Sequence, residues 1–198
     1  MGRLYLVGTP IGNLGDLSPR AAQVLEEVDF IAAEDTRVTL KLLNHLGLKK
    51  PLVSYYRHNT AAGGEAVLER LLAGESCALV TDAGTPAVSD PGEELVARCA
   101  ARDIPVVSIP GPCALITALA ASGLPTGRFT FEGFLAMNRK NRRAHLAELF
   151  AALQAHGMEP KRLQLVQHGP DKAPSAALVE AVRQGRPGLA VLPTLLNT

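Results

Sequence analysis

Three segments concentrate glycine and proline, two of them with Asn or Asp, directly after short apolar runs. They are Gly8-Thr9-Pro10-Ile11-Gly12-Asn13, Asp82-Ala83-Gly84-Thr85-Pro86 with its continuation Val88-Ser89-Asp90-Pro91-Gly92, and Pro110-Gly111-Pro112-Cys113-Ala114. Glycine lets a backbone approach a ligand closely, and proline stiffens the turn that brings it there. Each segment alone reads equally well as a tight turn; all three together point to one shared pocket. The pocket is not a triphosphate site, because neither GxxxxGK(S/T) nor GxGxxG occurs and Gly8-x-x-x-Gly12 lacks the following lysine. Asp82 offers a carboxylate to a ribose or an amino group. Gly84 and Thr85 offer main-chain groups to an adenosine-like ligand.

Three polar clusters accompany these segments. Glu34-Asp35-Thr36-Arg37 sets two adjacent carboxylates and a guanidinium where an apolar run gives way to a helical pattern. This suits a general base or an orienter for a hydroxyl nucleophile. It equally suits Asp35 capping the helix while Arg37 pairs locally. Arg57, His58 and Asn59 group donors fit for phosphate or ribose, although a lone His more often serves structure. Arg139, Lys140, Arg142 and Arg143 form a phosphate-contact candidate or the solvated start of a basic helix. The run has no interleaved aromatics, so it favours reading backbone and shape over base stacking. Charge is divided accordingly: residues 1–137 hold 11 Lys and Arg against 15 Asp and Glu, residues 138–198 hold 9 against 4, and this asymmetry suggests an anionic partner.

The elements that position these residues follow from periodicity. Strands are expected at Leu4–Val7, Phe30–Ala33, Leu52–Tyr55, Ala78–Thr81, Pro105–Ile109 and Phe129–Phe134. Between them lie helices opened by Ser18-Pro19, at Thr36–Leu46 before Gly47, and at Gly64–Leu72, Glu93–Ala101 and Cys113–Ala121. Nearly all-apolar strands alternating with amphipathic helices predict an α/β fold, a parallel sheet covered on both faces. In such a sheet ligands bind past the carboxyl ends of the strands, where all three glycine segments fall. Composition turns basic and polar after 135. The expected division is an N-terminal lobe at 1–135, a basic linker at 136–143 and a C-terminal lobe at 144–198, with a helix at Ala144–Ala155, a strand at Leu163–Val166, a helix at Ser175–Arg183 and a strand at Leu189–Leu192.

The chain of 198 residues, 47% hydrophobic and 20% charged, is composed like a soluble globular protein rather than a disordered one. Cys77, Cys99 and Cys113 lie too far apart for a disulfide framework or a zinc motif, so no metal and a reducing, cytoplasmic setting are expected. No apolar run reaches a membrane span, and no signal peptide is expected at Met1-Gly2-Arg3-Leu4.

The segments LYLVGTPIGN (4–13), EDTR (34–37), VTDAGTPAVSDPG (80–92), PGPCALITALAASGLP (110–125) and FEGFL (131–135) closely resemble, in this order, a known family. It is the bacterial ribosomal RNA small subunit methyltransferase I family of the tetrapyrrole-methylase-like superfamily, and the resemblance covers about residues 3–143. It implies a two-lobed α/β methyltransferase, usually a homodimer, with S-adenosyl-L-methionine (SAM) folded between the lobes. It further implies methylation of a cytidine 2′-hydroxyl in 16S rRNA of the small ribosomal subunit. Carried over by residue, Pro10 floors the cofactor cleft, Asp82, Ala83, Gly84 and Thr85 form the cofactor loop, and Val88 and Asp90 shape its far side. Cys113 stands where the family often has Ser, with Ala114 after it. Glu34, Asp35 and Arg37 match the signature near the acceptor, where positioning can contribute more than a strong base. Relatives continue into an aromatic strand, a loop with a Pro-His-type motif and a longer second lobe. Residues 163–172 echo that pattern weakly, and 144–198 is expected as a shortened or divergent lobe. Other readings are a tetrapyrrole methylase, against which EDTR and the basic run weigh, and a lobe that binds cofactor or RNA without turnover.

Overall fold

A computed structural model describes residues 2–134, 136, 138–167 and 176–196. The chain forms two compact units, Met1–Cys113 and Ala114–Thr198, so the packing division falls earlier than the change of composition.

In the first unit, β1 (Leu4–Val7), β2 (Phe30–Ala33), β3 (Leu52–Ser54), β4 (Cys77–Val80) and β5 (Val106–Ile109) form a wholly parallel sheet in the order β3-β2-β4-β1-β5. Every residue of β2 and β4 is buried, which explains why these strands read as unbroken apolar runs. Helices α1 (Pro19–Glu27) and α2 (Thr36–Leu46) pack Val24, Leu25, Leu42 and Leu43 against Ile31, Ala33, Ala78 and Val80 on one face. Helices α3 (Thr60–Leu72) and α4 (Glu93–Ala100) pack Val67, Leu68, Leu71 and Leu95 against Leu4, Phe30, Ala32 and Leu79 on the other. The α1 start follows its sequence signal: Ser18 Oγ accepts from Ala21 N at 3.1 Å, and Pro19 sits where no amide donor is needed.

The second unit holds α5 (Ala114–Ala121), α6 (Arg139–Ala155), β6 (Met158–Gln167), β7 (Ala176–Arg183), β8 (Ala190–Val191) and β9 (Leu195–Leu196). Strand β6 pairs antiparallel with β7 and parallel with β8 and β9. Three expectations are corrected here. Residues 176–183 are a strand rather than a helix, because pairing with β6 from Met158↔Arg183 to Val166↔Ala176 outweighs helical spacing. Phe129–Phe134 adopts no regular structure; the Phe131 and Phe134 rings instead meet edge to face at 6.0 Å. The basic run is not linker but the first turns of α6, capped by Asn138 Oδ1, which accepts from Lys140 N at 2.8 Å. Of the stretch 163–172, residues 168–172 lie outside the described residues. No helix among the described residues is long and apolar enough to cross a membrane.

The units differ in core. Among the described residues of the second unit, the buried apolar side chains are Leu119, Leu124, Pro160 and Val166. Protection against hydrogen exchange follows buried contacts. The amides of β6 and β7 are therefore expected to exchange well before those of β1, β2 and β4, a difference that exchange mass spectrometry would read directly. Equal protection in the two sheets would contradict it.

Candidate functional site

The carboxyl ends of all five strands lie on one edge of the parallel sheet. Strand β4 leaves toward α4 on one face, while its neighbours β1 and β2 leave toward α1 and α2 on the other. Divergence of adjacent connections opens a crevice above β4, the usual ligand position in such sheets. The loop after β4 fills part of it and is tied to β1 by main chain: Thr9 N donates to Gly84 O at 2.9 Å and Gly84 N to Thr9 O at 3.0 Å. Thr9 Oγ1 donates to Thr81 O at 3.1 Å, and Thr85 Oγ1 donates to Pro112 O at 3.2 Å in the loop after β5.

The third contact in this frame requires glycine on both sides. A Cβ on Gly8 would lie 3.1 Å from Gly111 Cα, and one on Gly111 would lie 3.0 Å from Gly8 O. The loops after β1, β4 and β5 are thus brought together through bare backbone. Pro10, Asp82, Ala83, Gly84, Thr85, Val88 and Asp90 all stand on this edge; Cys113 closes the first unit, and Ala114 opens α5 in the second.

The acidic cluster is built across β2 and β4. Asp35 N donates to Asp82 Oδ1 at 3.2 Å, and Asp82 N makes a long contact to Glu34 Oε2 at 3.4 Å. Glu34 is half-buried. Desolvation raises its pKa above the ordinary carboxylate value; the Asp82 amide opposes this, and the charges of Asp82 and Asp90 add to it. Asp90 is pushed up as well, by burial first, with Arg57 opposing. Asp35 has the opposite fate. Its carboxylate accepts from Arg37 N at 2.8 Å and is clasped by Arg37 Nη2 at 2.6 Å and Nε at 3.0 Å, which holds its pKa down at about 2. Glu34 and Asp35 are neighbours in sequence, yet only Glu34 keeps a carboxylate free of a cationic clasp.

Arg57, His58 and Asn59 follow β3 on the same edge. Arg57 Nη2 donates to Ser89 O at 3.3 Å, which pins the β4 loop where Ala87 (φ 67°) and Ser89 (φ 60°) both take left-handed conformations. Such strain in non-glycine residues collects at functional sites. Val88, held between them, is 51% exposed. Sequence reasoning missed this clamp; Ala-Val-Ser carries no turn signal of its own. Asn59 bonds within its own turn, accepting from Tyr56 N at 2.7 Å and donating to Ser54 O at 2.9 Å, while His58 is exposed. Arg139, Lys140, Arg142 and Arg143 belong to α6 in the second unit. No group of His, Cys, Asp or Glu among the described residues is arranged to hold a metal ion.

The two carboxylates separate under substitution. Asp35→Asn keeps the α2 cap, since Asn caps about as well as Asp, but loses the clasp to Arg37. A small loss of melting temperature at neutral pH is therefore expected, with function retained. Because the folded pKa is depressed, the aspartate's advantage holds above its unfolded value of about 3.9. It fades as pH falls toward about 2. Thermal scans of both proteins across that range check the sign.

Similarity to known proteins agrees with this layout. Two curated relatives carry the name ribosomal RNA small subunit methyltransferase I. The protein from Synechocystis sp. is 55% identical over 149 residues, 75% of this chain and 53% of its own length. That from Escherichia coli O157:H7 is 50% identical over 162 residues, 82% of this chain and 54% of its own. The chain thus spans about half the length of the curated relatives it matches. A conserved hypothetical protein from Aeropyrum pernix K1 shares the fold with a TM-score of 0.54 at 22% identity, over 65% of this chain and 45% of that one. The profile described as Tetrapyrrole (Corrin/Porphyrin) Methylases matches residues 3–188. With a match over nearly the whole chain and the β4 crevice in place, the chain belongs to the tetrapyrrole (corrin/porphyrin) methylase family.

Proposed function

We propose that this chain holds S-adenosyl-L-methionine on the loops after β1, β4 and β5 and serves 2′-O-methylation of a cytidine in 16S rRNA of the small ribosomal subunit, as a homodimer in the bacterial cytoplasm. The observation that carries this reading is the half-buried Glu34 beside the glycine-rich β4 loop, its carboxylate facing Asp82 N. The names of the relatives at 50–55% identity support the substrate class.

The residues present fit the cofactor. Exposed Asp82 is placed for ribose hydroxyls or an amino group. The buried Gly84 and the Gly8–Gly111 contact keep side chains out of the space between the loops. When bound, SAM supplies an electrophilic methyl, so that an O–C bond forms as the S–C bond breaks and the hydroxyl loses its proton. Glu34, half-buried with its pKa raised by desolvation, is placed to take that proton. Arg57 holds the β4 loop in place, and Arg37 fixes Asp35 as a helix cap. Positioning of the hydroxyl contributes much of the rate in such a displacement. On α6, Arg139, Lys140, Arg142 and Arg143 serve as phosphate contacts, and exposed His58 adds a donor beside the site.

Calorimetric titration with SAM, followed by transfer of labelled methyl to small subunits lacking the modification, tests the reading. Label at a cytidine 2′-oxygen is the expected result. Binding without transfer would reduce the chain to a cofactor-holding lobe, and transfer to a porphyrin instead would overturn the substrate assignment.

A further inference from the structure

On the face carrying α1 and α2, a groove of about 510 Å³ runs between α1 and the edge strand β5. Its ends are fixed by the course of α1. The helix starts at the carboxyl edge, where Ser18 Oγ donates to Pro110 O at 3.5 Å. It ends at the amino edge, where Asp29 N donates to Ser76 O just before β4. Arg20 therefore stands at one end of the groove, and Arg3, just before β1, at the other. Neither forms an ion pair with a carboxylate among the described residues. Arg3 lies over the Tyr5 ring, 5.9 Å from its centre, and donates Nη1 to the phenol oxygen at 3.3 Å. Val24 and Val107 line the span between them, and Glu27, the carboxylate on the wall, accepts from Gln23 Nε2 at 2.7 Å.

Charge suits a chain of phosphates. From Arg20 to Glu27, α1 advances about 10 Å at 1.5 Å per residue, and the two arginines stand at opposite ends of the groove it lines. A nucleic-acid strand carries a phosphate at every nucleotide, so a short run of it sets a phosphate at each end. Guanidinium groups match phosphate oxygens. The one aromatic ring is already covered by Arg3, which leaves backbone rather than base as what is read.

We propose that this groove docks a strand of the RNA substrate through its phosphates, with Arg3 and Arg20 as the two contacts. The inference rests on the RNA reading above. It is tested on the full chain with a fluorescent oligoribonucleotide of small-subunit rRNA sequence, titrated over a salt series. Arg20→Ala is expected to flatten the slope of log affinity against log salt by about 0.7, and the Arg3→Ala/Arg20→Ala pair by about 1.4. Glu27→Gln should tighten binding, and all three variants should keep the SAM affinity of the wild type. Arg20→Ala keeps the test valid if loss of Arg3 disturbs Tyr5. A wild type that binds RNA while the variants keep its slope overturns the groove and leaves the RNA reading standing; a wild type that binds no RNA overturns both. A change of oligomeric state in the double variant by sedimentation would give the groove to a second copy and overturn the proposal.

Discussion

Gly84→Val is expected to abolish SAM binding while the first unit stays folded. Gly84 has φ +92°, and a Cβ there would meet Ile11 Cγ2 at 3.6 Å and Pro112 O at 3.8 Å, ordinary contact distances. The first carbon therefore fits. The two methyls of valine reach beyond it, and they are expected to crowd Ile11 and Pro112 and push apart the loops after β1, β4 and β5. A β-branched residue at this dihedral also carries strain of about 1–3 kcal/mol, below the 5–15 kcal/mol that typically holds a domain folded. Gly84→Ala should bind SAM more weakly than wild type but measurably, because it meets the strain without the wedge. Calorimetry on the three proteins, with circular dichroism to confirm folding, reads the series. Wild-type affinity in the valine protein would remove these loops from the cofactor site.

Glu34→Gln is expected to lower methyl transfer by about 100-fold or more, the usual reach of a positioned proton acceptor, with SAM affinity held. Stability distinguishes this from simple damage. Desolvation and the nearby charges of Asp82 and Asp90 raise the Glu34 pKa, so its ionised form is disfavoured in the fold. Removing that charge should leave the melting temperature unchanged or higher at neutral pH. The folded protein takes up the proton before the unfolded one does. Wild-type stability therefore gains on the variant as pH falls through the window above the ordinary carboxylate pKa. Wild-type activity should fall through the same window, because the acceptor becomes occupied. Near wild-type turnover in Glu34→Gln would leave positioning alone to account for the rate.

The parallel sheet was legible because its strands are short and apolar on both faces: Phe30–Ala33 and Cys77–Val80 have no buried polar group to place. Ser18-Pro19 and Gly47 marked helix ends by local chemistry alone. Ala176–Arg183 was not legible in the same way. Its alanines and leucine suit a helix, and only Met158–Gln167 opposite makes it a strand. Within the site, spacing brought both Glu34 and Asp35 forward but had no means to choose between them. The choice depends on where Arg37 folds back and on how much water each carboxylate keeps. Arg57 looked like a donor for nucleic acid. Its bond to Ser89 joins residues 32 positions apart, a distance no local pattern records.

The Gly8–Gly111 contact has a bearing on how this molecule should be surveyed. A scan that trims side chains to alanine asks what each residue supplies, and at these two positions there is nothing to trim. What the frame requires there is a vacancy, so the informative experiment adds atoms instead of removing them. A map built by enlarging small residues one methyl at a time would trace the outline of the cradle, including Gly8 and Gly111, whose added Cβ would come within 3.1 Å of facing backbone. Truncation would report the same ground as silent.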